Sequence, residues 1–208
     1  MMNSAARSGR RPGSPNTRDD ILAAARETFA DEGYERASLR RIASRAGVDP
    51  ALITHYFGSK EGLFDAAMSL PFDPEAVAGV VFGPGLDGAG ERLCSTFLGL
   101  WESADYGKQL RGVVRAAASD ARAASRLRRF LEEEMVSVAA GHIGADRPHL
   151  RAELAASHLL GTALARYILG VEPLATIPRE ELASWLGPVI QHYLTGDLES
   201  PAPGKEKP

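Results

Sequence analysis

The chain has 208 residues, 44% of them apolar and 25% charged, with a formal net charge of −3 at neutral pH. That is the mix of a soluble globular protein with a buried core; no run approaches the roughly 18 apolar residues of a bilayer span, and the basic N-terminus lacks the apolar stretch of a secretory signal. The single cysteine, Cys94, excludes an internal disulfide framework and predicts a reducing, cytoplasmic location.

In chain order, residues 1–16 are rich in Ser, Gly, Pro and Arg and read as a disordered basic arm; 200–208 reads as a disordered tail. Helical signals fill the interval. Thr17 with Asp20 is a capping-box-like start, followed by an apolar stripe of Ile21, Leu22, Ala25, Phe29 and Ala30 at helical spacing. Gly33 is placed to end that helix in the left-handed conformation. Ser38 is a good N-cap for a short helix with Leu39, Ile42, Ala43 and Ala46 on one face, broken by Gly47. Asp49-Pro50 restarts a helix that ends near Phe57, because Asp caps and Pro suits the first turn. Gly58 turns the chain, and Ser59 caps a helix carrying Leu63, Phe64, Ala67 and Met68.

Pro71, Pro74 and the glycine-rich stretch at 82–90 bracket one short helix. Amphipathic segments follow at roughly 89–104, 106–117, 119–141, 147–170 and 178–195, with no sustained strand alternation and no internal repeat. The expected fold is all-α, with about nine helices: an N-terminal three-helix helix-turn-helix domain over 17–62 and a larger helical domain over 63–199.

The stretch from Ser38 to Lys60 carries the functional signal. A helix-turn-helix needs its second helix held steeply to the first so that it can enter a major groove. Leu39, Ile42 and Ala43 point inward, Gly47 can adopt the positive φ of the turn, and Val48 and Ile53 complete the small core. Residues 1–60 carry an excess of three positive charges, whereas the rest of the chain carries a balance of −6. A basic end on an acidic body suits a protein that meets phosphates at one end.

This region resembles the TetR family of repressors. The match runs through Gly33-Tyr34, Ser38-Leu39, Ile42-Ala43, Ala46-Gly47-Val48, Ile53, His55-Tyr56-Phe57 and Ser59-Lys60-Glu61 to Leu63. The resemblance covers about residues 17–68. It implies a DNA-binding transcriptional regulator, most naturally a repressor, on a palindromic operator. Ser38 would then contact a phosphate, Arg40 a base, and Pro50, Ala51 and Thr54 would form the exposed face of the recognition helix. His55 and Tyr56 would lie against the DNA backbone, with Lys60 on a phosphate. Arg41 and Arg45 are open between phosphate neighbours and solvated charges. Few bidentate groups stand on the recognition helix, so thymine-methyl contacts through Ala51 and Thr54 are favoured there. The arm with Arg7, Arg10 and Arg11 is either a minor-groove or phosphate contact or an idle tail.

A two-turn recognition helix offers little contact alone, so dimerisation is expected to place two of them in successive grooves about 34–36 Å apart. The resemblance implies a homodimer through the last two long helices, with Leu160, Leu164, Tyr167, Leu186, Val189, Ile190 and Tyr193 as candidate contacts. It also implies a small-molecule effector in a pocket, for which Phe97, Trp101, Tyr106, Leu110, Met135, His158 and Tyr167 are candidates.

Enzyme signatures are missing from the sequence. The histidines form no HExxH or other close metal-ligand pattern, no G-x-S-x-G is present, and the glycines at 83–90 follow no strand and precede no Lys-Ser/Thr pair. No metal, cofactor or membrane partner is expected. The competing class is a helical protein-interaction module that uses the same hairpin without DNA.

Overall fold

The computed structural model describes residues 17–70, 72–104 and 106–198; the arm at 1–16, with Arg7, Arg10 and Arg11, and the tail at 200–208 lie outside the described residues. Ten helices occur among the described residues. They are α1 (Thr17–Arg36), α2 (Leu39–Ala46), α3 (Pro50–Phe57), α4 (Lys60–Met68), α5 (Pro74–Phe82), α6 (Ala89–Glu102) and α7 (Gly107–Ser119). Helix α8 begins as Ala121–Arg129, passes through a π-helical stretch at Phe130–Val136 and finishes as Ser137–His142. Helix α9 (Pro148–Ala163) likewise ends in a π-helical stretch, Leu164–Leu169, and α10 is Arg179–Thr195. Among these residues no helix is long and apolar enough to cross a membrane.

The chain divides into two compact units between Ser69 and Leu70, not after residue 62 as the sequence suggests. Helix α4 belongs to the first unit because its apolar face is spent there. Leu63, Phe64, Ala67 and Met68 are all buried, and the Phe64 ring packs edge-on against Phe29 at 5.1 Å and Tyr34 at 5.0 Å. Arg26, buried in the same unit, donates from Nε to the Ala67 carbonyl at 2.7 Å. Burial pushes the Arg26 guanidinium down to about 10, which leaves it charged at neutral pH.

Local chemistry explains the first unit's element ends. Gly33 has the positive φ expected of it (75°, with ψ 164°), but the helix kinks there and continues to Arg36. That conformation is essentially glycine's alone. Ser38, Asp49 and Ser59 each accept an amide hydrogen with the side chain, from Arg41, Ala51 and Gly62 respectively, at 3.3, 2.9 and 3.0 Å. Each cap of this kind contributes about 1 kcal/mol. Gly47 closes α2 in the left-handed conformation, and the Val48 amide reaches back to the Ala43 carbonyl at 3.0 Å.

In the second unit the tightest crossing is α6 on α10. A Cβ added at Gly90 would collide with the Gly187 carbonyl oxygen and come within 2.5 Å of the Gln191 nitrogen, so the two backbones touch where side chains would normally keep them apart. The Gly90 amide donates to Gln191 Oε1 at 2.9 Å, and Gln191 Nε2 donates to the Leu86 carbonyl at 3.0 Å. Buried Arg151 ties the start of α9 to the end of α10. Its guanidinium donates to the Asp146 carboxylate (2.6 Å) and to the Tyr193 and Gly196 carbonyls (3.0 and 2.8 Å), satisfying acceptors that a helix end leaves open.

Candidate nucleic-acid interface and effector cavity

The helix-turn-helix sorts its residues cleanly between inside and outside. Ile42, Ala43 and Ile53 are buried, and Leu39, Val48 and Leu52 half-buried, so they fix how α3 lies on α2. Ser38, Arg40, Arg41, Pro50, Ala51, Thr54, His55 and Tyr56 are exposed. Tyr56 is 39% exposed despite its large ring and lies beside His55, ring centres 5.4 Å apart. The outward face of α3 therefore offers one hydroxyl, one imidazole, one phenol and small apolar surface.

The cations of α2 are not equivalent. Arg41 pairs with Glu32 of α1 at 2.8 Å, and Arg45 pairs with Asp31 at 2.8 Å while donating to Thr28 Oγ1 at 3.2 Å. The Asp31 hydrogen bond holds Arg45 above the ordinary guanidinium range, against the opposing pull of desolvation. Arg40 has no ion-pair partner among the described residues, which leaves its five donors available. The sequence left Arg41 and Arg45 unresolved; Glu27, Asp31 and Glu32 on α1 were the signal that partners were at hand. Lys60 is half-buried, with Nζ 4.5 Å above the Tyr34 ring and donating to the Glu35 carbonyl at 3.2 Å. These contacts orient its ammonium at the start of α4, where backbone amides already favour an anion.

The second unit encloses an apolar cavity of about 90 Å³. Four of the seven candidate pocket residues line it: Phe97, Trp101, Leu110 and Met135. Tyr106, His158 and Tyr167 are not among the lining residues. Tyr106 packs beside the Trp101 and Leu110 cluster, and His158 Nδ1 lies 3.4 Å from Tyr193 Oη. Tyr167 stands behind the wall: its ring stacks on Trp101 at 5.3 Å, and its hydroxyl donates to Glu102 at 2.8 Å. Burial first, then that hydrogen bond, pushes the Tyr167 phenol up to about 12. Arg166 pairs with the same Glu102 carboxylate at 3.0 Å and donates to the Leu174 and Ile177 carbonyls, holding the loop before α10.

The sequence did not single out Leu70, Phe72, Val77, Leu100, Leu127, Phe130 and Leu131 as cavity walls. A residue in an apolar helical stripe looks the same whether it faces a packed core or a hole. Leu160, expected at a dimer surface, also lines the cavity. Ile190 is fully buried within the protomer and has no surface to offer a partner, and Tyr167, Leu186 and Tyr193 are half-buried against their own unit's core. Leu164 and Val189 are exposed, at 42% and 40%, and are joined by Trp185, exposed at 63%. Trp185 precedes Val189 by one helical turn, the spacing that puts them on one face. Among the described residues no group of three or more His, Cys, Asp or Glu is placed to hold a metal ion.

A capped recognition helix with an outward polar face, carried by its own small core, defines a helix-turn-helix module. The pattern for bacterial regulatory proteins of the tetR family matches residues 21–67, and that for the tetracyclin repressor-like C-terminal domain matches residues 87–194. A TetR-family regulator from Streptomyces coelicolor is 34% identical, with a TM-score of 0.53, over 90% of this chain and 99% of that one. NalD, the secondary repressor of the MexAB-OprM multidrug efflux pump in Pseudomonas aeruginosa, shares the fold at 20% identity. Its TM-score is 0.62, over 88% of this chain and 98% of that one. The regulator BetI 1 of Chromohalobacter salexigens is 46% identical over 54 residues, 26% of this chain and 27% of that relative. The repressor AcnR of Corynebacterium glutamicum is 47% identical over 49 residues, 24% of this chain and 26% of that relative. The chain thus matches about a quarter of the length of these curated relatives. The chain belongs to the TetR family of transcriptional regulators, which are not enzymes.

Proposed function

We propose that the protein is a cytoplasmic transcriptional repressor that binds a palindromic DNA operator as a homodimer and releases it when a small molecule enters the cavity of the second unit. The observation that carries this reading is the exposed array of Ser38, Arg40, Pro50, Ala51, Thr54 and Tyr56 on two capped helices whose apolar sides are buried. Arg40 reads a base, Ala51 and Thr54 meet thymine methyls, and Ser38, His55, Tyr56 and Lys60 position the phosphates. The exposed apolar side chains Leu164, Trp185 and Val189 on α9 and α10 supply the dimer contact.

Ligand release follows from chain connection. Leu70 and Phe72 belong to the cavity wall, and Leu70 comes directly after Ser69, the residue that closes α4. A ligand that displaces them favours one arrangement of the DNA-reading heads over another and weakens operator binding by its differential affinity for the two. The test is binding to random-sequence duplex as a function of salt, with sedimentation to give the stoichiometry. A steep fall in affinity with salt and two chains per site are expected. Failure to bind duplex even near about 50 mM salt would overturn the reading and favour a protein-interaction module.

A further inference from the structure

The cavity is small and apolar. Its volume, about 90 Å³, is below the ~150 Å³ of an engineered apolar cavity that takes up benzene. Apart from the indole N–H of Trp101, no lining side chain carries a conventional hydrogen-bonding group. A carboxylate, ammonium or amide driven into it would lose water and find no replacement. The occupant must therefore be slim and apolar over the part that enters.

One wall of the cavity has a second face. Leu127, Leu131 and Leu160 also line an open cleft of about 450 Å³. There the surroundings change, because Arg128, Glu132, Glu153 and Ser157 join the leucines. An apolar hole thus shares a leucine partition with a roomier, charged cleft. Part of the partition also departs from regular α-helical backbone. Leu131 lies in the π-helical stretch of α8, which contributes Phe130 and Met135 to the cavity as well. π-Helical turns recur at functional sites, and an unbranched Met side chain adapts its shape.

We propose that the effector is an amphiphile with an unbranched hydrocarbon tail. The end of the tail occupies the cavity against Trp101, the chain crosses the leucine partition, and the polar head stays in the cleft beside Arg128, Glu132 and Glu153. The inference rests on the ligand-responsive reading above and names the chemical class that this site admits.

The protein has two tryptophans, so Trp185→Phe leaves Trp101 as the sole indole reporter. The probes are straight-chain primary alcohols from hexanol to dodecanol, added to the full-length Trp185→Phe protein after its melting curve has been matched to the parent. Trp101 emission is expected to change saturably, with affinity rising about fourfold per methylene until the cavity is filled and flat beyond. Val114 also lines the cavity, so adding Val114→Phe narrows it and should move the plateau to a shorter alcohol. Decanol, decylamine and decanoate then show which head the cleft accepts. No saturable change, affinity independent of tail length, or a plateau unmoved by Val114→Phe would each overturn the proposal. Operator binding is read on the parent protein, whose proposed dimer contact at Trp185 is intact: an alcohol that binds at Trp101 without loosening DNA leaves the ligand class standing and overturns ligand release.

Discussion

Arg41 Nη1 lies 2.8 Å from Glu32 Oε1, an ion pair that ties α2 back onto α1. Its neighbour Arg40 has no such partner among the described residues, so two adjacent arginines do different work. Arg40→Ala is expected to lose discrimination at one base pair in each half-site, by about 1–3 kcal/mol. Arg41→Ala should leave base preference alone and cost about 1 kcal/mol of stability or more, because Arg41 is exposed but its partner Glu32 is largely buried. Site selection from random duplexes followed by affinities for single-base variants separates the two. A uniform loss across all variants for Arg40→Ala would make it a phosphate contact.

Lys60 is expected to behave as a positioning charge. Lys60→Ala should weaken binding to every duplex alike and make the slope of log affinity against log salt shallower by about one unit. The same slope in the variant would remove Lys60 from the phosphate contacts and leave it as a cap on the Tyr34 ring and the Glu35 carbonyl.

Helix contact at Gly90 predicts opposite outcomes for one kind of substitution. Gly90→Ala forces a methyl into the Gly187 and Gln191 backbone and should cost about 1–3 kcal/mol through overpacking. Gly141→Ala, with nothing within 4 Å of the added carbon, should gain up to about 1 kcal/mol from helix propensity. Denaturant midpoints of the two variants should move in opposite directions from the parent.

Cys94 is fully buried, and burial, with the Glu91 charge as a smaller cause, pushes its thiol up from 9.0 to about 12. The unfolded chain gives up this proton near pH 9 while the folded chain holds it to about 12. The unfolded state therefore binds fewer protons in that window, and the thiol's contribution to stability, complete below pH 9, declines as pH rises through it. The folded protein should resist thiol reagents at about pH 8 and react fully in denaturant. Cys94→Ala should flatten the alkaline decline in the denaturant midpoint.

Where the sequence was informative, a residue's local chemistry was sufficient. Ser38, Asp49 and Ser59 cap their own helices whatever surrounds them. Gly47 also takes its turn conformation from neighbours within a few residues. Partners distant along the chain were not legible. Nothing near Phe64 says that its ring will meet Phe29 and Tyr34, and so the boundary was expected after residue 62, inside α4, rather than beyond its end. The cavity was legible only in part for the same reason. Trp101 and Met135 stand out by size and type, whereas Leu127, Leu131 and Leu160 differ from core leucines only in what fails to pack against them.

The π-helical stretch from Phe130 to Val136 is seven residues long and builds one wall of the cavity. An α-helix turns about 100° per residue, and a π-helix, with its i→i+5 bonds, turns less. This stretch therefore holds about one residue more than ordinary winding needs, and deleting one would restore that winding while the rest of α8 kept its bearing. Only the side chains within the stretch, Phe130, Leu131 and Met135 among them, would be redistributed on the cavity wall, while the caps and contacts of the DNA-reading unit kept their sequence. On the function proposed above, a one-codon deletion is thus a route by which descendants of this chain reshape the cavity without altering the residues that meet DNA.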